Sequence, residues 1–282
     1  MDIHTTTASL RDALTPQWRA GADIGFVPSL GALHEGHLSH VRHARARDAV
    51  VVCSIFLNPT QFGPSEDLTR YPRTPARDEA LLRDEGVDHL FMPSVDEMYP
   101  PGFATRVDVG ALGAVLEGAE RPGHFAGVAT VVAKLLTIVR PTRAYFGQKD
   151  AQQLAVLRRM VRDLDMPVEI VAGPTVRESD GLALSSRNVY LAPDERRAAP
   201  TLYRALTAAR DQFLSGARDG DELRRVMRET VATERLVRLE YAELVAPDTM
   251  APLEAARSDA LLVIAARVGA TRLIDNLPLP GA

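Results

Sequence analysis

Cysteine occurs once in the 282 residues, at Cys53, which removes any internal disulfide framework and makes a reducing compartment the simplest reading. Lysine is almost as scarce. Of 33 basic side chains only Lys134 and Lys149 are lysines, so wherever a bare positive charge suffices this chain carries arginine. No apolar stretch approaches the roughly eighteen residues of a membrane span, and the opening MDIHTTTASLRD has neither a basic nor an apolar targeting region. Secretion and membrane insertion are therefore not expected, and a cytoplasmic location is. The formal net charge is only -4, with no basic stripe or cationic tail, which argues against nucleic acid and anionic membranes but not against a small anionic ligand. Walker A and G-x-G-x-x-G patterns are both missing, so a P-loop ATPase and a hydride-transferring dinucleotide fold lose ground. Repeats and low-complexity tracts are absent too.

What remains is the balance of an ordinary globular protein, 46% apolar and 25% charged, in a chain long enough for one large α/β domain and a smaller second one. Ile24–Val27 reads as a buried strand, followed by the loop Pro28–Leu33, a helix over about His34–Asp48 and the β-branched strand Val50–Leu57. Strand, helix and strand in that order imply a parallel sheet with a right-handed crossover. The alternation continues through helices over Pro75–Glu85, Gly127–Val139 and Asp150–Leu164, with strands at His89–Met92, Ala144–Phe146 and Val168–Val171. This is the pattern of a doubly wound fold, whose ligand crevice lies at the carboxyl ends of the strands. Beyond Gly173-Pro174 the style changes. Helices over Asp194–Leu214 and Asp221–Thr233 precede strand-like runs at Leu239–Val245, Leu261–Ala266 and Arg272–Asp275, which suits a smaller α+β domain with a boundary near residue 175.

The strongest local signal is Gly31-Ala32-Leu33-His34-Glu35-Gly36-His37, where a strand hands over to a helix. Backbone N–H groups at a helix start point at anions, and Gly36 lets a phosphate or adenine approach closely. His-x-Gly-His in this setting is the signature of adenylate-forming and nucleotidyl-transferring α/β enzymes; the bland alternative is a pair of surface histidines. His34, His37, His40 and His43 recur every third residue, but each such step turns the helix by roughly 300°, so four ligands to one metal are excluded while a two-histidine site stays open. His40 and His43 read as solvated helix positions. A second cluster, Phe146-Gly147-Gln148-Lys149-Asp150, again joins strand to helix. A lysine retained in an arginine-rich chain suggests a compact ammonium at a phosphate oxygen, whereas Lys134, in an apolar helix, reads as structural. Asp150 either caps the helix or holds Mg²⁺. Ser185-Ser186-Arg187-Asn188 either grips a polyphosphate or is an ordinary capping loop. Gln61 and the pair Gln152-Gln153 could hold a hydroxylated acid through neutral hydrogen bonds, although Gln152 reads more simply as a surface glutamine.

The order of these motifs resembles the pantothenate synthetase family. PSLGALHEGH (28–37), SIFLNPTQF (54–62), YPRTP (71–75), RPGHFAGVATVV (121–132), YFGQKDAQQL (145–154) and TVRESDGLALSSRNVYL (175–191) together span most of the chain. The resemblance implies a Rossmann-like ATP- and pantoate-binding domain over residues 1–175, a smaller lid domain over 176–282, Mg²⁺ and ATP as cofactor and co-substrate, pantoate and β-alanine as substrates, and a homodimer. Carried over by position, it puts His34, His37 and Lys149 in catalysis, with His37 as the acid. The nucleotide contacts would be Leu30, Gly31, Ala32, Leu33, His34, Glu35, Gly36, His37, Gly147, Gln148, Lys149, Asp150, Val176, Leu184, Ser185, Ser186 and Arg187, with Asp150 also the metal ligand. Gln61 and Gln153 would bind pantoate, Gln61 also meeting β-alanine. Ser29-Leu30, Gln148 and Leu184 stand where the family often has Thr-Met, Glu and Met. The implied reaction is pantoate attack on the α-phosphorus of ATP, then displacement of AMP by the amine of β-alanine. A nucleotidyltransferase with a phosphate acceptor and a non-catalytic nucleotide sensor are the competing readings.

Overall fold

A computed structural model describes residues 1–64 and 66–280 of the chain. It forms two compact units, Met1–Gly147 with Val156–Pro174, and Gln148–Ala155 with Thr175–Ala282. The chain begins β1 (Asp2–His4), α1 (Thr7–Arg19), β2 (Ile24–Ser29), α2 (Glu35–Arg47), β3 (Val50–Ile55), α3 (Pro75–Asp84), β4 (His89–Phe91) and a single turn α4 (Val95–Met98). It continues α5 (Glu117–Glu120), α6 (His124–Val139), β5 (Arg143–Gly147), α7 (Ala151–Asp163) and β6 (Glu169–Gly173). The six strands pair in the order β1-β4-β3-β2-β5-β6, every neighbouring pair parallel. A sheet covered on both faces needs continuous apolar strands, and Val50–Cys53 is buried at every position. The strand order reverses between β2 and β5, so the ends of β2 and β5 flank the topological switch where open α/β sheets bind ligands.

One buried polar junction closes this sheet. Asp48, just past α2, accepts from the Arg143 guanidinium at 2.6 Å and from the Tyr145 hydroxyl at 2.5 Å. Its carboxylate lies where Gly25 of β2 has no side chain, and a Cβ there would stand 2.4 Å from Asp48 Oδ2. Around it Val27, Leu33, Val41, Ala44, Val51, Leu82 and Leu90 form the core, with Cys53 a buried free thiol among them.

The second unit contains α8 (Pro193–Ala198), α9 (Thr201–Leu214), α10 (Gly220–Ala232), β7 (Val237–Val245), β8 (Leu261–Val268) and β9 (Thr271–Pro278). Its three strands form an antiparallel sheet in chain order. Leu202, Leu206, Leu223, Met227, Leu244, Leu262 and Ile264 join helices to sheet in a separate core.

The expected doubly wound α/β sheet with a smaller α+β unit is what the chain forms, with five corrections. β1 and α1 had no clear sequence signal, because the strand is three residues long and the helix contains Pro16. The helix expected over Asp194–Leu214 is broken at Ala199-Pro200, since proline lacks the N–H that would bond Arg196 and its ring crowds that carbonyl. His40 is buried, not solvated: a Cβ on Gly173 of β6 would lie 2.2 Å from its ring, so the glycine makes room for the imidazole. His43 is only half-buried and meets the Tyr145 ring edge-on at 5.3 Å. Gln152 is likewise buried and no surface glutamine.

Replacing Gly25 with alanine forces a methyl into the Asp48 carboxylate. A loss of roughly 1–3 kcal/mol is expected from such overpacking, read as a lower urea midpoint with an unchanged slope; an unshifted midpoint would mean that the junction yields freely.

Candidate active site

The loop leaving β2 is shaped by one carboxylate. Ser29 Oγ accepts from the Gly31 N–H at 3.0 Å, and the chain then turns through two left-handed residues, Gly31 at φ +94° and Ala32 at +52°. For alanine that conformation costs on the order of 1–2 kcal/mol. Asp78 of α3, 1% exposed, offsets it by accepting from the consecutive N–H groups of Ala32 at 2.8 Å and Leu33 at 2.9 Å. Thr74 Oγ1 donates a third bond to the same carboxylate at 2.9 Å. The chain thus reaches His34 already aimed along α2.

His34 caps α2. Its Nδ1 accepts from the Gly36 N–H at 3.2 Å, while its own N–H donates to His37 Nδ1 at 3.3 Å. A ring nitrogen that accepts carries no proton, so each neutral imidazole holds its proton on Nε2. The rings lie 4.1 Å apart, tilted by 40°. The sequence pointed the backbone N–H groups of this helix start at an anion. In the structure those of Gly31, Ala32, Leu33, His34 and Gly36 are committed to protein acceptors.

Gln61 lies beyond the end of β3, in the short 3-10 turn Pro59–Gln61, and is 8% exposed. Asn58, fully buried, caps that turn and donates to Gln61 Oε1 at 3.0 Å and to the Gly127 carbonyl at 3.2 Å. Tyr99 and Thr60 hydroxyls donate to Asn58 Oδ1 at 2.7 and 2.9 Å. With Oε1 engaged, the Gln61 amide presents its N–H end. α6 presses on this turn so closely that a Cβ on Gly127 would sit 2.3 Å from the Thr60 carbonyl. From the same helix His124 contacts the Gln61 carbonyl through Nδ1 at 2.8 Å, and Arg121 donates to His124 Nε2 at 3.1 Å. Arginine is only a donor, so Nε2 accepts and Nδ1–H donates to Gln61. Burial first, then the Arg121 charge, lower the His124 pKa to about 4. Arg121 is itself held by both oxygens of Glu66, at 3.0 and 2.5 Å.

In the second unit Gln148–Asp150 form a 3-10 turn ahead of α7, with Gln153 half-buried in the first turns of that helix. Lys149 shares a recess with Ser185, Asn188, Tyr203 and Asp275. The Leu184 N–H donates to the Val176 carbonyl at 2.9 Å, which places the expected Val176 and Leu184 side by side. Ser185 Oγ accepts from the Arg187 N–H at 3.3 Å and so does cap the turn Ser186–Tyr190. Arg177 supports the region, bidentate to Asp275 at 2.6 and 2.8 Å and stacked 4.0 Å over Tyr203. Lys134 lies over the Phe103 ring, 4.8 Å from its centroid, in keeping with a structural role. Gly147 ends β5, beside the β2 strand that leads into the histidine loop.

The family described as pantoate-beta-alanine ligase matches residues 2–278. The chain belongs to that family. It is 57% identical over 279 residues to a pantothenate synthetase of Roseiflexus sp., covering 99% of both chains. The crystal structure of pantothenate synthetase from Thermus thermophilus superposes with a TM-score of 0.95 at 53% identity, over 99% of this chain and 100% of the other. A pantoate-beta-alanine ligase from Francisella tularensis, solved with beta-gamma ATP and beta-alanine, gives 0.80 at 33% identity over 99% and 97%. This ligase family joins pantoate to β-alanine, and the chain is such an enzyme. Asp78, which holds the histidine loop, and His124, which holds the Gln61 turn, went unread in the sequence; only the motif context of His124, RPGHF, hinted at one of them.

Asp78→Asn keeps the shape but sets an N–H₂ against the Ala32 or Leu33 N–H. A cost of about 1–3 kcal/mol for one unsatisfied buried donor is expected in urea unfolding, together with reduced turnover; full stability and full activity would show the loop to be self-supporting. His124 should titrate by NMR near pH 4. Because its folded pKa is depressed, its contribution is complete above the unfolded value of about 6.5 and is lost as pH falls toward 4. Urea stability should therefore decline across that window, and less so in His124→Gln; an ordinary midpoint for the ring would contradict the assigned burial and Arg121 contact.

Proposed function

We propose that the ligase works through a pantoyl-adenylate, releasing pyrophosphate and then AMP. Pantoate is ionised near neutral pH without help, so its attack on the α-phosphorus needs stabilisation of phosphate charge more than a base. The observation that carries the reading is the reciprocal cap of His34 and His37, which fixes both imidazoles as Nε2–H donors at a helix start beside the topological switch. His37 is assigned the acid role, His34 a phosphate contact, and Lys149 a second cation for phosphate oxygens. The remaining nucleotide contacts are assigned to Leu30–Leu33, Glu35, Gly36, Gly147, Gln148, Val176 and Leu184–Arg187. Gln61 and Gln153 are assigned to pantoate; the amide end that Gln61 presents supports neutral recognition of a hydroxy acid.

Asp150 suits a cation carried by the nucleotide. Its carboxylate is about half exposed and 3.6 Å from Lys149 Nζ, and among the described residues no group of three or more His, Cys, Asp or Glu side chains could hold an ion alone. One carboxylate with phosphate oxygens and water is an ordinary set for Mg²⁺, which when bound would neutralise phosphate charge. The mixed anhydride must be kept from water, and we assign that task to the C-terminal domain. We also propose a cytoplasmic homodimer; the dimer rests on family resemblance, and for the location no helix among the described residues is long and apolar enough to cross a membrane.

The intermediate makes a direct prediction. With ATP, Mg²⁺ and pantoate but no β-alanine, labelled pyrophosphate should exchange into ATP, and omitting pantoate should abolish exchange. Exchange that requires β-alanine, or formation of ADP in place of AMP, would rule out the adenylate.

A further inference from the structure

A buried asparagine on the last strand of the chain has no role in the mechanism above. Asn276 of β9 is 3% exposed. Burying an amide is unfavourable unless its donors and acceptor are bonded. Its Nδ2 donates to the carbonyl of Gln148 at 2.9 Å and to that of Lys149 at 2.8 Å, and its Oδ1 accepts from Gln148 Nε2 at 3.2 Å. All three bonds of one side chain therefore go to the lysine and the residue before it. The strand is bonded on several sides at this point. Asn276 pairs with Val263 of β8, its N–H donates to Asp275 Oδ1 at 2.8 Å, and Asp275 is locked by the bidentate Arg177.

We propose that Asn276 is a positioning residue for Lys149, fixing the main chain at the root of the lysine so that its ammonium is delivered to one place. Lysine has a flexible stem with several rotatable bonds, and its charge is useful for a developing phosphate charge only where it is preorganised. Two carbonyl bonds cannot restrain the stem, but they fix the Cα from which it swings. The inference rests on the assignment of Lys149 to phosphate contact, and it adds that the lysine is only as well placed as the strand that holds it.

The test is a double-mutant cycle on the full-length enzyme, read by pyrophosphate exchange. Asn276→Ala should lower the exchange kcat by on the order of a hundredfold, with a smaller change in the KM for ATP. In a Lys149→Ala background the same substitution should cost little more, because the group it acts through is gone. Equal losses in both backgrounds would make Asn276 merely structural, and no loss in either would overturn the proposal outright. If Lys149→Ala alone exchanges normally, the fault lies with the role given to Lys149 and the positioning idea falls with it. A second readout needs no activity. The chain has only two lysines, so lysine-labelled protein gives two side-chain signals, Lys134 and Lys149. Asn276→Ala should shift or broaden the Lys149 signal and leave Lys134 in place; two unchanged signals would count against the tether. Should Asn276→Ala melt below the assay temperature, Asn276→Asp keeps the shape while facing both carbonyls with a carboxylate, and the same measurements on it should show the same losses.

Discussion

The carboxylate of Asp78 determines what the rest of the active-site geometry can be. A buried charge is tolerated only when it is bonded on all sides, and this one is bonded by two consecutive amides of the loop that begins the nucleotide motif and by a threonine. Without it Ala32 would have little reason to stay left-handed, and His34 would start α2 from a different angle. The reciprocal cap between His34 and His37 depends on that starting angle, and the position of the ring protons depends on the cap. A single side chain from α3 thus holds the loop that leads into both histidines.

The Gln61 turn follows the same logic with neutral groups. Asn58 is bonded at both ends of its amide, and His124, kept uncharged by burial and by Arg121, ties the Gln61 carbonyl to α6. The side chains assigned to the reaction are therefore held by other side chains of the protein. Asn58 and Asp78 are buried almost completely, 0% and 1% exposed, so the side chains that hold these loops are themselves fixed by the core.

Much of this was legible in the sequence because it is local. Strand-loop-helix at residues 24–47, the apolar β3 run and the rare lysine each declare themselves within two dozen residues. The supports were not legible, because their partners lie far apart in the chain: Asp78 is 46 positions from Ala32, His124 is 63 from Gln61, and Asn276 is 127 from Lys149. Periodicity also misled where tertiary packing overrode it. His40 follows the polar spacing of its neighbours yet is buried, because a glycine far along the chain, Gly173 on β6, leaves the space for its ring. Pro200 could have been read as a break, but the alanine- and arginine-rich stretch around it is otherwise continuous helix former.

The lone thiol has a further consequence. Cys53 sits 2% exposed on β3, between β2 and β4, and burial, with Asp88 adding to it, pushes its ionisation far above the ordinary thiol range. Among cysteine species the thiolate is the one that reacts with oxidants and alkylating reagents, so in the folded enzyme this sulfur is shielded from them. The sulfur becomes reactive only when the middle of the parallel sheet opens, which makes this single atom a native clock for the opening of the nucleotide-binding scaffold.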